Sequence, residues 1–354
     1  MTPVRTKLIQ LFEAEFDLCN VRAGESVVIL SDSVRRETTH LGLYAEAAAA
    51  VAAARGAHVY EIVVRPTAGN AGRAGFGTDA FASVVGESAI SPLPNVVDAL
   101  VRADFVVDLL LLLHSPEQMA ILESGTRILL VQEPPDVLER LFASEQLTAD
   151  VRAAEALLRD ASELRLTSPA GTDVTYRLGQ FDRLTAQIGY ADSPGTWDHF
   201  SAGGLLAAYG DEDGVDGTVV IAPGDALFPF KRYVQSPIEL SIERGYITAI
   251  DGGADAQLFA DYLDYWDDAD AYAVSHIGWG LNQRARWSTM ATMDMRHTIG
   301  MEQRCIAGCV LFSTGPNVDG GGSRNTKCHC DIPLRHCTLE VDGRRVVAGG
   351  KLVA

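Results

Sequence analysis

The sequence predicts an α/β chain: an N-terminal parallel-sheet α/β domain over residues 1–160, followed by a β-rich α+β domain over residues 161–354 that carries a metal site facing the cleft. Three observations predict it. In the first part, short continuously apolar runs alternate with amphipathic or alanine-rich segments, as in a parallel sheet covered by helices on both faces. Past residue 160 strand-like runs predominate, with helix returning only over 254–266. The residues with metal-binding chemistry, two histidines and an aspartate, fall late, in and beside these strands.

Residues 5–19 have Leu8, Leu11, Phe12 and Phe16 at helical spacing, and Gly24 ends that segment. Ser26 to Leu30 is a short apolar run of strand length. The alanine-rich segment from Glu37 to Arg55 reads as one helix stopped by Gly56, and His58 to Val64 as the next strand. Residues 66–77 are rich in glycine and small residues and read as a loop. Helices over 95–102 and 116–123 then alternate with strands over 105–113 and 127–132, and helices over 134–142 and 148–161 lead out of the region. Beyond them, 163–167, 173–178 and 217–221 read as strands, 238–250 as a hairpin turning near Arg244-Gly245, and 254–266 as a helix. Ala271 to Ser275 is a strand leading straight into His276, and an Asp342-Gly343 turn joins two closing strands.

The 354 residues are 47% hydrophobic, enough for a large core. A formal charge of −18 disfavours nucleic acid and anionic membrane surfaces as partners. No apolar run reaches a membrane-spanning length, and the first residues lack a secretory pattern, so the expected compartment is the cytoplasm. Six irregularly spaced cysteines fit reduced thiols better than a disulfide framework.

The stretch Thr326-Lys-Cys-His-Cys-Asp331 contains an H-x-D pair. In a strand alternate residues share a face, so His329 and Asp331 project together while Cys328 and Cys330 point the other way. His276, in Ser275-His-Ile-Gly-Trp-Gly280, supplies a second imidazole. Two histidines and one carboxylate leave coordination positions open for substrate and dioxygen, a set that suits ferrous iron. A competing arrangement would use Cys305, Cys309, Cys328, Cys330 and Cys337 with His336 as a zinc cage, although C-x3-C and C-x-C spacings differ from paired C-x2-C knuckles. His114 ends an apolar strand, where open α/β sheets collect ligands; a plain loop histidine is the alternative. His199 lies in Gly195-Thr-Trp-Asp-His199, where it either binds a polar ring substituent beside Trp197 or sits on a surface loop. Ser313 either donates to a substrate oxygen or only ends a strand.

The order of His276 and His329-x-Asp331, with the strand-end Leu-His114-Ser, the Gly-Thr-Trp-Asp-His199 segment and Pro237-Ile-Glu-Leu-Ser-Ile-Glu-Arg-Gly, resembles the 2,5-dihydroxypyridine 5,6-dioxygenases of nicotinic acid degradation. The resemblance extends over most of the chain and is firmest from about residue 195 to 332. That family is similar in turn to the metallo-aminopeptidases called aminopeptidase T, which hold two metal ions and need further glutamates. Here the corresponding stretch, Ala222-Pro-Gly-Asp-Ala-Leu-Phe228, offers Asp225 and no glutamate, which favours a single metal.

The resemblance implies that His276, His329 and Asp331 hold Fe(II), and that a dihydroxypyridine and O2 react to open the ring between C5 and C6, giving N-formylmaleamate. His114 is then the candidate base for the 5-hydroxyl proton, with His199 and Ser313 orienting the ring. It also implies a homo-oligomer. A metal-dependent aminopeptidase is the alternative enzyme, and a metal-stabilised binding protein the alternative without catalysis. A 2-oxoglutarate-dependent oxygenase is disfavoured, because there the H-x-D pair precedes the distal histidine.

Overall fold

Continuous apolar runs in the first part of the chain become parallel strands. In the computed structural model, which describes residues 3–65, 88–201, 203–228, 230–294 and 297–353, Ser26–Asp32 pairs in parallel with both His58–Val64 and Phe105–Asp108. Arg127–Leu130 extends the sheet, and Trp197–His199 returns from far along the chain to pair with it, also in parallel. The expected loop over 66–77 lies outside the described residues.

The chain forms two compact units, the first comprising Met1–Ala143, Ile188–Gly203 and Asp294–Ile299. Its sheet has a core on each face. One gathers Phe12, Phe16, Tyr44, Phe105 and Phe200, and the other Leu30, Val106, Leu110, Leu112 and Ile128. Phe12 meets the Phe16, Tyr44 and Phe200 rings edge to face, arrangements worth about 0.5–1.5 kcal/mol each beyond area burial.

Three expectations are corrected in this unit. The alanine-rich helix is two helices, Ser33–Thr38 and Leu41–Ala54. Asp32 caps the first by accepting from Arg35 N at 2.7 Å; extended Thr39 breaks the run and its hydroxyl accepts from Leu41 N. The strand from Phe105 ends at Asp108 instead of running to Leu113. The Asp108 carboxylate accepts the backbone N–H groups of Leu110, Leu111 and Leu112 at 2.8, 2.9 and 2.8 Å, curling the chain out of the sheet. Leu109, Leu110 and Leu112 remain fully buried, so their hydrophobicity marks core, not strand. Third, residues 197–199, given no strand by the sequence pattern, form a short one, so of the two readings of His199 the surface loop is excluded.

The second unit comprises Ser144–Gln187, Gly204–Met293 and Gly300–Ala354. An eight-stranded antiparallel sheet contains the expected hairpin, Ile238–Glu243 with Tyr246–Gly252, and the closing strands Thr338–Val341 and Arg344–Ala348. A separate five-stranded sheet runs in the order Cys330–Leu334, Val310–Thr314, Val274–Gly280, Leu205–Tyr209 and Thr185–Gln187. Cys330–Leu334 and Val310–Thr314 are buried at every position, as expected of strands covered on both faces. Gly278 has no room for a side chain: a Cβ there would lie 2.0 Å from the Leu206 carbonyl oxygen on the adjacent strand. No described helix is long and apolar enough to cross a membrane.

Candidate metal centre

The five-stranded sheet of the second unit carries His276 and Asp331 on two strands separated by Val310–Thr314. His276 lies inside Val274–Gly280, paired with Tyr209, and not beyond the strand's end as its sequence context suggested. Asp331 lies in Cys330–Leu334, paired with Ser313, and His329 immediately precedes that strand. The folded sheet thus brings together residues that the sequence separates by more than fifty positions.

One ligand atom from each of His276, His329 and Asp331 lies within 4.8 Å of the other two, and this is the one such grouping among the described residues. Asp331 Oδ1 sits 3.3 Å from His276 Nε2 and 3.2 Å from His329 Nε2. That oxygen is buried and makes no well-formed hydrogen bond. A buried carboxylate oxygen costs free energy unless it is paired. Its position against two ring nitrogens fits a divalent cation held by two imidazoles and one carboxylate.

The other carboxylate oxygen is engaged. Arg304 Nε donates to Asp331 Oδ2 at 2.6 Å. Burial alone would raise the Asp331 carboxyl, but the Arg304 guanidinium, followed by His329 and His276, outweighs it and holds the group well below the usual carboxylate range. It is therefore ionised, the form a metal requires. Arg304 belongs to no sequence motif, and only its neighbour Cys305 has the chemistry of a ligand in the sequence.

The other candidates distribute as follows. Ser313 is inside its strand and fully buried; its hydroxyl accepts from His276 N at 2.8 Å and donates to His276 O at 2.7 Å. Its proton is therefore committed to the backbone of a triad histidine. Asp225 accepts from Ala222 N and Arg335 N, each at 2.8 Å, one with each oxygen, and burial pushes its pKa up to about 6. Both oxygens hold loop backbone, and Asp225 is not part of the triad. All six cysteines are buried free thiols, and no sulfur cluster with ligand spacing occurs among the described residues, so the zinc-cage reading finds no support.

In the first unit, His114 and His199 each approach the Trp197 ring. The His114 and Trp197 ring centroids are 6.1 Å apart and those of Trp197 and His199 5.3 Å, both edge to face. His199 is buried, at 3% exposure, which excludes the surface-loop reading. The neighbouring Asp198 carboxylate fixes the segment by accepting from the N–H groups of Ile188, Gly189 and His199. His114 has left-handed backbone, φ +58°, three residues after Leu111 at +73°. Such conformations cost non-glycine residues about 1–3 kcal/mol each and concentrate at functional sites. His114 N donates to Gln118 Oε1 at 2.7 Å, and Ser115 caps the following helix, holding the turn closed.

A family model described as NicX, 2,5-dihydroxypyridine 5,6-dioxygenase, matches residues 7–354. The chain belongs to the 2,5-dihydroxypyridine 5,6-dioxygenase family. A curated 2,5-dihydroxypyridine 5,6-dioxygenase from Pseudomonas putida KT2440 is 42% identical over 352 residues, 98% of this chain and 96% of the relative. A solved 2,5-dihydroxypyridine dioxygenase from the same organism superposes with a TM-score of 0.91 at 40% identity, covering 99% of this chain and 98% of that one. Wild-type AmpT from Thermus thermophilus shares the fold at a TM-score of 0.62 and 14% identity, covering 99% of both chains. The dioxygenase family and the aminopeptidase T fold thus use a common architecture, as the sequence resemblance implied.

Proposed function

We propose that this family member opens 2,5-dihydroxypyridine between C5 and C6 with O2, giving N-formylmaleamate, using one Fe(II) held by His276, His329 and Asp331. The observation that carries the reading is the buried Asp331 Oδ1 against two imidazole nitrogens. When bound, ferrous iron would supply a redox-active centre through which an electron-rich ring and dioxygen can react.

The chain's own groups do the rest. His114, set by a strained turn six residues beyond the end of the Phe105–Asp108 strand, takes the proton from the 5-hydroxyl, making the ring a better electron donor. The Trp197 indole provides a flat wall, and His199 beside it orients a polar ring substituent. Ser313, whose proton is directed to His276 O, contributes to ring binding only as an acceptor. A dinuclear hydrolytic centre lacks support, since Asp225 is bound to loop backbone. The six free thiols fit a cytoplasmic setting, and the family resemblance suggests a homo-oligomer.

Oxygen uptake by ferrous-reconstituted protein tests the reading, with 2,5-dihydroxypyridine compared against a leucyl peptide. The expected result is one O2 consumed per ring opened and no peptide hydrolysis. Peptide hydrolysis with two zinc or cobalt ions per chain, and no oxygen uptake, overturns it.

A further inference from the structure

Asp331 is held from three directions, and Arg304 accounts for the one that sequence motifs do not record. Arg304 lies in the short helix Met301–Cys305 and is almost fully buried. Its Nε donates to Asp331 Oδ2, and its guanidinium carbon stacks 4.3 Å from the centre of the Phe228 ring. Phe228 is itself tied to Asp331, because its backbone N–H donates to Asp331 O at 3.1 Å. The ring presses so closely on Gly300, φ +77°, that a Cβ there would lie 2.1 Å from it. The chain just after Arg304 is joined to the end of the His276 strand: Asn282 N donates to Cys305 O at 2.9 Å, and parallel bridges link Gly280 with Ala307 and Asn282 with Ile306.

We propose that Arg304 is a positioning residue that occupies Asp331 Oδ2, so that the carboxylate offers only Oδ1 to the metal and the centre holds one ion instead of two. This rests on the metal-centre reading above. A bridging carboxylate in a two-metal site presents one oxygen to each ion. Here the second oxygen already faces a fixed positive charge, and a second cation would have to displace it against like-charge repulsion. A charge-assisted N–H···O bond also stops the carboxylate from rotating between one-oxygen and two-oxygen ligation. Groups that orient ligands in this way typically change metal affinity about 10- to 100-fold when removed.

Three variants separate donation from packing, with Co(II) as the probe, because its absorption spectrum reports coordination number and its affinity can be measured by chelator competition. Arg304→Met keeps an unbranched stem over Phe228 but loses charge and donor; Arg304→Lys keeps both; His329→Ala removes a ligand. The expected results are Co(II) affinity weakened about 10- to 100-fold in Arg304→Met, with a changed visible spectrum, and recovery to within about tenfold of the parent in Arg304→Lys. Thermal melting of the metal-free proteins checks that each variant folds. An Arg304→Met protein that folds and binds one Co(II) with the parent's affinity and spectrum overturns the role of Arg304. If His329→Ala binds as well as the parent, the metal-centre reading itself fails, a separate outcome.

Discussion

Two buried carboxylates, Asp108 in the first unit and Asp331 in the second, look equivalent by burial and differ in what their oxygens meet. Asp108 accepts from three backbone N–H groups, and both its oxygens are satisfied within a single turn. Asp331 has one oxygen fixed by Arg304 and the other placed between two imidazoles without a hydrogen bond of its own. The first pattern builds backbone. The second keeps a donor atom available. Asp198 and Asp225 fall with Asp108, each saturated by loop N–H groups. Burial of an acid is therefore no pointer to chemistry until its hydrogen bonds have been counted.

Substitutions sharpen this comparison. The largest effect belongs to the triad: His329→Ala should abolish iron retention and turnover together, as read by metal analysis and oxygen uptake, and a variant that keeps both breaks the assignment. Next is His114→Ala, which should keep its iron yet lose about 10²- to 10⁴-fold in turnover, the usual range for a general base. Full rate across neutral pH in that variant removes the proposed proton transfer. Asp108→Asn leaves a buried N–H without its acceptor, so chemical denaturation should show a loss of about 1–3 kcal/mol. Unchanged stability would mean that the turn after Phe105–Asp108 does not need its carboxylate.

The effect confined to the narrowest set of conditions is a pH dependence. His40 lies beside the Gln132 carbonyl oxygen, 3.1 Å from Nε2, and burial, with His297 and Arg35 nearby, pushes its pKa down from 6.5 to about 4. The unfolded chain takes up this proton near 6.5 while the folded chain resists until about 4, so protons favour unfolding between those values and stability is lost as pH falls through that window. In His40→Gln that part of the slope should disappear from stability measured between pH 7 and pH 4; a slope identical to the parent's would show that His40 does not titrate on unfolding.

The parallel sheet was legible because its strands are continuous apolar runs, and the H-x-D pair because alternation in a strand is a local rule. The failures share a physical cause, contacts that hydrophobic periodicity does not encode. The strand from Phe105 is cut short by Asp108, whose effect lies in a carboxylate turning back on three amides while the leucines remain in the core. Residues 197–199 have little strand signal of their own, and they become an edge strand only because Arg127–Leu130 is there to pair with them. Arg304 is invisible in the sequence for the same reason: its partner is 27 residues away and is met only in the folded sheet.

The most direct test is to make the same chemical change at both carboxylates and count iron. In anaerobic Fe(II) titrations the account predicts one ion per chain for the parent and for Asp108→Asn, and close to none for Asp331→Asn at the same protein concentration. Iron retained in full by Asp331→Asn, or two ions bound by the parent, would contradict it.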